Sequence, residues 1–495
     1  MSLTNAGAIA NQSLGTIAAQ INVVSRNIAG VNVSGYATKT ALVSTTSNGG
    51  TQINGVARAT NAALFQNSLQ ASATQAAASA LSSGFDQIDQ ALGLSSGTAT
   101  NTSTNRSPAA LLSALQSALQ SYSASPSDTT VAQTVLSSAK AVAQALNTAS
   151  TTVQQLRAQA DGEIATSVAN INSILTQFQQ VNTEVVAGTQ AGRDVTSALD
   201  QRDALLKSLS SEIGVTTVTR ANNDMVIYAD GGATLFETSP RSVTFQASAS
   251  YTASTTGNAV YVDGVPVTGA SASMPLQSGK LQGLTQLRDV VAPQYQSQLD
   301  ETARGLIASF AETDQSGLGG SVPGLFTYSG ATSVPGASVI PGLAGDIIVN
   351  PNADPSQGGN LDRLRDGGIS DPTNSAYVYN TTGAAGFTDR INQLVASFST
   401  AQSFDSSAGL GSSQSLMDYA TSSLGWFEAQ RQQATDTESY QSTLLSQTTD
   451  ALSNSSGVNL DEQMSKMLDL ENSYQASAKL ISAIDAMYTA LFQAL

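Results

Sequence analysis

The chain has 495 residues, which is enough for about two to four domains of roughly 100 to 200 residues each. Charged residues make up only 11%, and 36 acidic against 20 basic residues give a formal net charge of −16. With no His and no Cys, the sequence excludes imidazole or thiolate metal sites, Ser-His-Asp and Cys-His nucleophiles, haem ligation and disulfides.

The charge pattern and the hydropathy pattern narrow the class of partner. The acidic balance contains no basic cluster, which argues against nucleic acid and against anionic membrane surfaces. No apolar run approaches the roughly 18 residues of a membrane span, and the first residues lack a secretory signal. We therefore expect protein partners, no nucleic acid, no membrane insertion, no metal and no cofactor.

The first predicted element is a helix over about the first 35 residues. Apolar or small residues recur there every seven positions in two rows: Leu3, Ala10, Ile17, Val24 and Val31, and Gly7, Leu14, Ile21 and Ile28. This spacing is typical of a coiled-coil seam, although an ordinary core-facing helix gives the same stripe.

The middle of the chain is predicted to be mainly helical, with two interruptions. Helices are expected near residues 62–92, 108–122, 128–188 (one or two helices), 195–213, 281–310, 387–401 and 415–452. After Gly214 the period changes to two, which predicts short strands at 215–220, 225–229 and 234–237 and a hairpin at 261–265. Residues 313–372 contain six of the 12 prolines, so loops and short strands are expected there.

The last 29 residues carry a second heptad pattern. Its rows are Met467, Tyr474, Ile481, Tyr488 and Leu495, and Leu470, Ser477, Ile484 and Leu491. Because the two cleanest heptad segments lie at the two chain ends, we expect them to pair as a coiled coil. The predicted class is mainly α with β insertions (α+β), with a long-helix bundle and a small outward β domain.

Four regions follow from this pattern. They are a terminal helical domain (1–36 and 456–495), a helical bundle (37–213, 280–312 and 386–455), a β insertion (214–279) and a Gly/Pro-rich insertion (313–385).

Carboxylates are the only abundant acid–base groups, and none of them predicts an enzyme. The adjacent pair Asp461-Glu462 could in principle act as in a glycosidase, but acidic residues in the first turn of a helix favourably meet its dipole. The block from Asp200 to Asp203 is expected to be the polar surface of an amphipathic helix. The pairs Gly49-Gly50 and Gly231-Gly232 predict turns and not phosphate loops. We expect no catalytic residue.

Several segments resemble a known family. The run Asn27-Ile28-Ala29-Gly30-Val31-Asn32-Val33-Ser34-Gly35-Tyr36 is similar to a signature near the start of flagellar rod, hook and junction proteins, departing from it at Gly30 and Val33. The run from Ser456 to Glu462 resembles the closing helix of the same superfamily. Leu199-Asp200-Gln201-Arg202-Asp203 and Ser278-Gly279-Lys280-Leu281-Gln282-Gly283-Leu284 resemble internal blocks of the bacterial flagellar hook-associated protein 1 family.

The resemblance implies a structural subunit at the junction between the flagellar hook and the filament. It implies chain ends paired as helices lining an inner tube, unfolded export through the flagellar type III apparatus, and a secreted, extracellular location. The implied partners are a homo-oligomeric ring, hook protein, a second junction protein, the filament cap or flagellin side, and a cytoplasmic chaperone at the C-terminal helix.

The seam rows and the signature together give the residues expected at the assembly interface. They are Leu3, Leu14, Ile17, Ile21, Val24, Ile28, Asn32, Gly35, Tyr36, Met467, Leu470, Tyr474, Ile481, Ile484, Tyr488, Leu491 and Leu495. Two alternatives stay open: a hook or distal-rod protein, and a secreted carbohydrate-binding or glycan-cleaving protein whose active part is an insertion.

Overall fold

The structure is a computed structural model, and it describes residues 3–33, 35–93 and 106–493. Helices in these residues are α1 (Leu3–Gly30), α2 (Ala62–Leu92), α3 (Pro108–Ala124), α4 (Thr129–Gln190), α5 (Thr196–Glu212), α6 (Lys280–Gln286), α7 (Ala292–Ser309), α8 (Leu343–Asp346), α9 (Arg363–Asp366), α10 (Asp389–Ser397), α11 (Leu416–Ser456) and α12 (Leu460–Gln493). A π-helical turn, Leu287–Val291, joins α6 to α7.

The strands are short. They are β1 (Lys39–Thr45), β2 (Thr51–Arg58), β3 (Val215–Thr219), β4 (Met225–Ala229), β5 (Thr234–Phe236), β6 (Val243–Thr244), β7 (Tyr261–Val262), β8 (Val265–Pro266), β9 (Glu312–Thr313), β10 (Ser321–Val322), β11 (Phe326–Tyr328), β12 (Ile347–Val349), β13 (Ala401–Ser403) and β14 (Ser413–Ser415). All their pairings are antiparallel. The mainly α class with β insertions is confirmed.

Helix α4 is the centre of the helical domain. The Asp128 side chain accepts the N–H groups of Thr130 and Val131 and so caps its start. The helix then runs for 62 residues, of which 24 are buried, against α3, α5 and α7. The segment predicted as one or two helices is therefore one, and Gly162 lies inside it without ending it.

The β insertion shares its core with these helices. Strands β3, β4 and β5 form one sheet and β6, β7 and β8 another. The Phe236 ring packs edge to face on Phe178 of α4, with ring centroids 5.0 Å apart. Arg288 is fully buried and donates to Oδ1 of Asp161 at 2.6 Å and to the carbonyl of Asn258 at 2.8 Å. The insertion is thus fastened to α4 by apolar contact and, through Arg288 of the π-helical turn, by a hydrogen bond.

The Gly/Pro-rich insertion is fastened by α7. The buried Asp300 carboxylate accepts the backbone N–H groups of Gly342 and Ala344 at 2.9 and 2.8 Å, and the Gln296 amide at 2.9 Å. Burial raises the pKa of Asp300 to about 6, because these hydrogen bonds do not offset the loss of water around the charge.

The two ends of the chain form an antiparallel helix pair, as expected. The Tyr488 hydroxyl of α12 donates to Oγ1 of Thr4 in α1 at 3.0 Å. At the other end of the pair, the Asn27 amide donates to Oε1 of Gln463 at 2.8 Å. The predicted pairing of the terminal helices is confirmed.

Residues 39–58 correct one expectation. The sequence places them in the helical bundle, but they form the hairpin β1–β2, which packs on α1: the Thr16 hydroxyl donates to the carbonyl of Thr51 at 2.7 Å. The segment is rich in the β-branched residues Thr, Val and Ile, which favour strands, and Gly49 takes a φ of +85° in its turn. We call residues 3–58 and 460–493, so far as they are described, the terminal unit.

Candidate assembly surface and its attachment to the helical domain

Helix α12 leaves most of its surface uncovered. Of its 34 residues only Gln463 and Ile484 are buried. Two apolar rows are exposed, one with Leu460, Met464 and Leu468 and one with Leu480, Met487 and Leu491. Since a helix turns by about 100° per residue, the rows lie on opposite sides of the seam with α1. The helix therefore carries apolar side chains on more of its surface than α1 alone can cover.

The exposed face of α1 has the opposite character, because every side chain on it is small. These residues repeat at alternating steps of three and four: Ala8, Asn11, Gly15, Ala18, Asn22, Ser25 and Ala29. Such a heptad row lets another helix approach closely, since no large side chain holds it away. One helix of the terminal unit therefore presents large apolar groups and the other presents a shallow small-residue row.

The structure separates the predicted interface residues into three groups. Ile17, Val24 and Ile484 are buried, and a larger half-buried set is Leu3, Leu14, Ile21, Ile28, Tyr36, Met467, Leu470, Ile481 and Tyr488. Exposed are Asn32, Gly35, Tyr474 and Leu491. Leu495 lies outside the described residues.

Two of these positions correct the seam assignment. Tyr474 is 40% exposed and Leu491 is 54% exposed, although both stand on predicted seam rows. A straight α-helix drifts by about 20° per heptad relative to a strict seven-residue repeat. Over the three heptads from Leu470 to Leu491 that drift turns the end of this row away from α1. The drift does not explain Tyr474, since Ile481 and Tyr488 follow it on the other row and are half-buried.

A buried amide at the end of the pair fixes how α1, α12 and the hairpin meet. Asn27 is 1% exposed; its Nδ2 donates to Gln463 Oε1 and to the carbonyl of Lys39, and its Oδ1 accepts the N–H of Lys39 at 3.0 Å. The Tyr36 hydroxyl also donates to Oδ1, at 3.2 Å. Gln463 was not among the predicted residues, although it lies one heptad before Leu470 on a seam row.

The turn after α1 has a shape that two glycines permit. A Cβ at Gly30 would lie 2.7 Å from ring carbons of Tyr36, so no side chain fits there. Gly35 has a φ of +81°, in the left-handed region that favours glycine. Burial raises the pKa of the Tyr36 phenol, and the Lys39 ammonium lies 4.5 Å from its ring centroid.

The position of the acidic block on α5 also differs from the expectation. Asp200 and Asp203, expected on a free helix surface, face the terminal unit and are largely buried. Asp200 Oδ2 lies 3.1 Å from Nζ of Lys39, and Asp203 pairs with Arg58. Burial raises the pKa of the Asp203 carboxyl even beside Arg58. Arg58 lies 145 residues before Asp203, and Lys39 lies even further before Asp200, so the pattern of α5 alone cannot reveal these cations.

The adjacent carboxylate pair singled out in the sequence lies at the surface of α12. No group of three or more His, Cys, Asp or Glu residues within it is placed to hold a metal ion. Asp461 and Glu462 are exposed in the first turn of α12, where Glu462 pairs with Lys466. Among the described helices, none combines the length and apolarity needed to cross a membrane.

Comparison with known proteins gives two family matches. The family described as flagellar hook-associated protein FlgK helical domain matches residues 85–325. The family described as flagellar basal body rod FlgEFG protein C-terminal matches residues 451–494. The first match covers the end of α2, helices α3 to α7 and the β insertion, and the second covers the end of α11 with α12.

Two individual proteins are also similar to the chain. The flagellar hook-associated protein 1 of Bacillus subtilis (strain 168) is 21% identical over 365 residues, covering 69% of this chain and 67% of that protein. A solved structure of the flagellar hook junction protein FlgK from Burkholderia pseudomallei has a TM-score of 0.39 and 24% identity. That alignment covers 53% of this chain and spans about half of the solved chain, 47%.

Proposed function

The chain belongs to the FlgK family of flagellar hook-associated proteins, and from this premise we propose that it is a structural subunit of the bacterial flagellum at the hook–filament junction. In this proposal copies assemble into a ring through the terminal unit, and no covalent chemistry is involved. The observation that carries it is α12, a 34-residue helix with two buried side chains.

The two exposed faces of the terminal unit support contact between copies. The large side chains of Leu480, Met487 and Leu491 on one copy fit the small-residue row of α1 on the next, as knobs fit holes. Such a contact joins two different surfaces, so each copy keeps one face free for a further neighbour. Contacts of this heterologous kind build rings or helical arrays.

The other parts of the chain take the remaining roles. The terminal unit lines the inner tube, the helical domain surrounds it, and the insertions at 214–279 and 313–385 project outward. The domain limits are those expected above, except that the hairpin of residues 39–58 joins the terminal unit. Hook protein lies on one side of the ring, and a second junction protein with the filament cap or flagellin side lies on the other.

Export completes the proposal. The chain leaves the cell unfolded through the flagellar type III channel and acts outside it, and a sequence without Cys is compatible with such transit. A cytoplasmic chaperone covers the apolar rows of α12 before export, because exposed rows of Leu, Met and Phe would otherwise promote association.

Electron microscopy of a strain that lacks the gene tests the proposal. We expect hooks without attached filaments, and restoration of filaments by the wild-type gene. Complementation with Met487→Ser and Leu491→Ser together should fail, whereas the matched change Gln493→Ser on the same helix should succeed. Normal filaments in the deletion strain would overturn the proposal. A strain without hooks would favour a hook or distal-rod protein.

A further inference from the structure

Buried polar atoms without a hydrogen bond are concentrated at one place in the described part of the chain. Seven such side-chain atoms occur, and five of them belong to Arg26, Arg58, Asp200 and Arg202. Arg26, Arg58 and Asp200 lie where the terminal unit meets α5 and the residues just before it. Arg58 Nε and the two Asp200 oxygens have oppositely charged groups within 3.1 to 3.4 Å, but they make no hydrogen bond. Buried polar atoms in folded proteins are normally hydrogen-bonded, so ion pairs that make no hydrogen bond leave room for another arrangement of the same charged groups.

The contact between the terminal unit and α5 is ionic, with all cations on one side. Three cations make four ion pairs across it: Arg26 Nη1 lies 3.2 Å from Asp194 Oδ2, Lys39 Nζ lies 3.1 Å from Asp200 Oδ2, and Arg58 pairs both with Asp200, at 3.4 Å, and with Asp203. Arg202 turns away from this contact and donates to Oδ1 of Asn182 at 3.1 Å. Long flexible side chains can exchange such partners while the bodies move.

No apolar core holds the two bodies together. The buried apolar clusters of the described residues contain no member from 3–58 or 460–493, and the main cluster begins at Leu69. The chain crosses between the bodies at 59–61 and at 457–459. Beside the second crossing, Thr38 donates its N–H to the carbonyl of Ser456 at 2.8 Å and its hydroxyl to that of Gly457 at 2.6 Å. The two bodies are thus joined by two chain crossings and a few hydrogen bonds beside them, about which one body can rotate relative to the other.

We propose that this contact is an ionic hinge, about which the terminal unit adopts at least two orientations relative to the helical domain. In one orientation the pairs stand as described, and in another Arg26, Lys39 and Arg58 are redistributed among Asp194, Asp200 and Asp203. The hinge is a property of the single chain and does not depend on the proposed function. In a ring it would let each copy adjust the angle of its terminal unit separately.

Distance measurement between two spin labels tests the hinge. Because the sequence has no Cys, Gln159→Cys in α4 and Gln475→Cys in α12, both exposed, provide unique sites. We expect double electron–electron resonance to give two distances between the labels. The population with the minor distance should at least double when salt rises from 0.1 M to 1 M, because the screening length falls from about 10 Å to about 3 Å. One distance that salt does not change would overturn the proposal.

Variants test whether the named residues control the ratio of the two distances. Arg58→Gln should at least double the minor population at low salt, and the exchange Arg58→Asp with Asp203→Arg should restore the wild-type ratio. The control is Arg193→Gln, an exposed arginine beside the same contact. Labels at Gln159→Cys and Ser442→Cys, both in the helical domain, should keep one distance in every variant. An unchanged ratio in a folded Arg58→Gln protein would contradict the hinge.

Discussion

The central helix α4 and the C-terminal helix α12 differ in how much of their surface the chain itself buries. In α4, 24 of 62 residues are buried by the chain itself, whereas in α12 only two of 34 are. Helical stability in proteins comes mostly from tertiary packing of an apolar face. The helical domain therefore buries its apolar surface within one chain, whereas most of the surface of α12 stays uncovered.

The two regions also differ in what holds them in place. Phe178 of α4 meets Phe236 in an apolar core, while α12 is joined to α1 near its first turn by the Asn27–Gln463 hydrogen bond. A single buried polar pair in a helix seam specifies register at some cost in stability. The terminal pair is thus placed accurately but packed lightly.

The largest effect is expected on assembly. Leu491→Asp should abolish incorporation, because a charge buried between copies costs several kcal/mol once neighbours cover it. The thermal transition of the monomer should stay unchanged, since Leu491 is exposed there. The control is Gln493→Asp, which lies off the apolar rows and should assemble normally. Loss of assembly in the control as well would mean that the apolar rows do not determine incorporation.

Ile484→Asp sharpens the same comparison. It should also block incorporation, but it should loosen the terminal pair in the monomer as well, because Ile484 is buried opposite Gly7. Circular dichroism should show a loss of helix in the Ile484→Asp monomer and none in the Leu491→Asp monomer. Equal helix content in the two would mean that the seam does not discriminate these positions.

The next effect concerns the helical domain. Phe178→Ala should reduce the free energy of unfolding by about 3 to 5 kcal/mol, because it removes a fully buried ring and leaves a cavity. Urea unfolding measures this, with Gln159→Ala on the exposed side of α4 expected within about 0.5 kcal/mol of wild type. A loss below 1 kcal/mol at Phe178 would contradict a self-contained core.

The smallest effect is local to the terminal unit. Asn27→Ala should cost about 1 to 3 kcal/mol there, because Lys39 N–H and Gln463 lose a buried partner. Amides at the start of α12 should exchange faster, while the urea midpoint of the helical domain stays constant. The matched change Asn22→Ala, at an exposed position of the same helix, should alter neither quantity.

Local signals in the sequence were sufficient for most helices. The limits of α2 follow from Asn61, whose side chain accepts the N–H of Leu64, and from Gly93 in the left-handed conformation. The pairing of the chain ends followed from two heptad patterns. These signals depend on residues within one or two turns of each other, so a sequence displays them directly.

Contacts between distant segments could not be predicted in the same way. Buried and exposed residues do not alternate regularly along the hairpin β1–β2, because a bulge between Leu42 and Val43 leaves both side chains exposed. The acidic block on α5 has the pattern of a free helix surface until Lys39 and Arg58 are placed against it. A pattern within one helix does not identify the charges that another segment will bring to it.

Hydrogen exchange measured by mass spectrometry in the monomer and in the assembled ring tests the central claim most directly. We expect the amides of α12 and α1 to exchange faster than those of α4 in a verified monomer and to become protected in the assembly, while the amides of α4 stay protected in both. Protection of α12 equal to that of α4 in the monomer would contradict the claim that neighbouring copies complete the terminal unit.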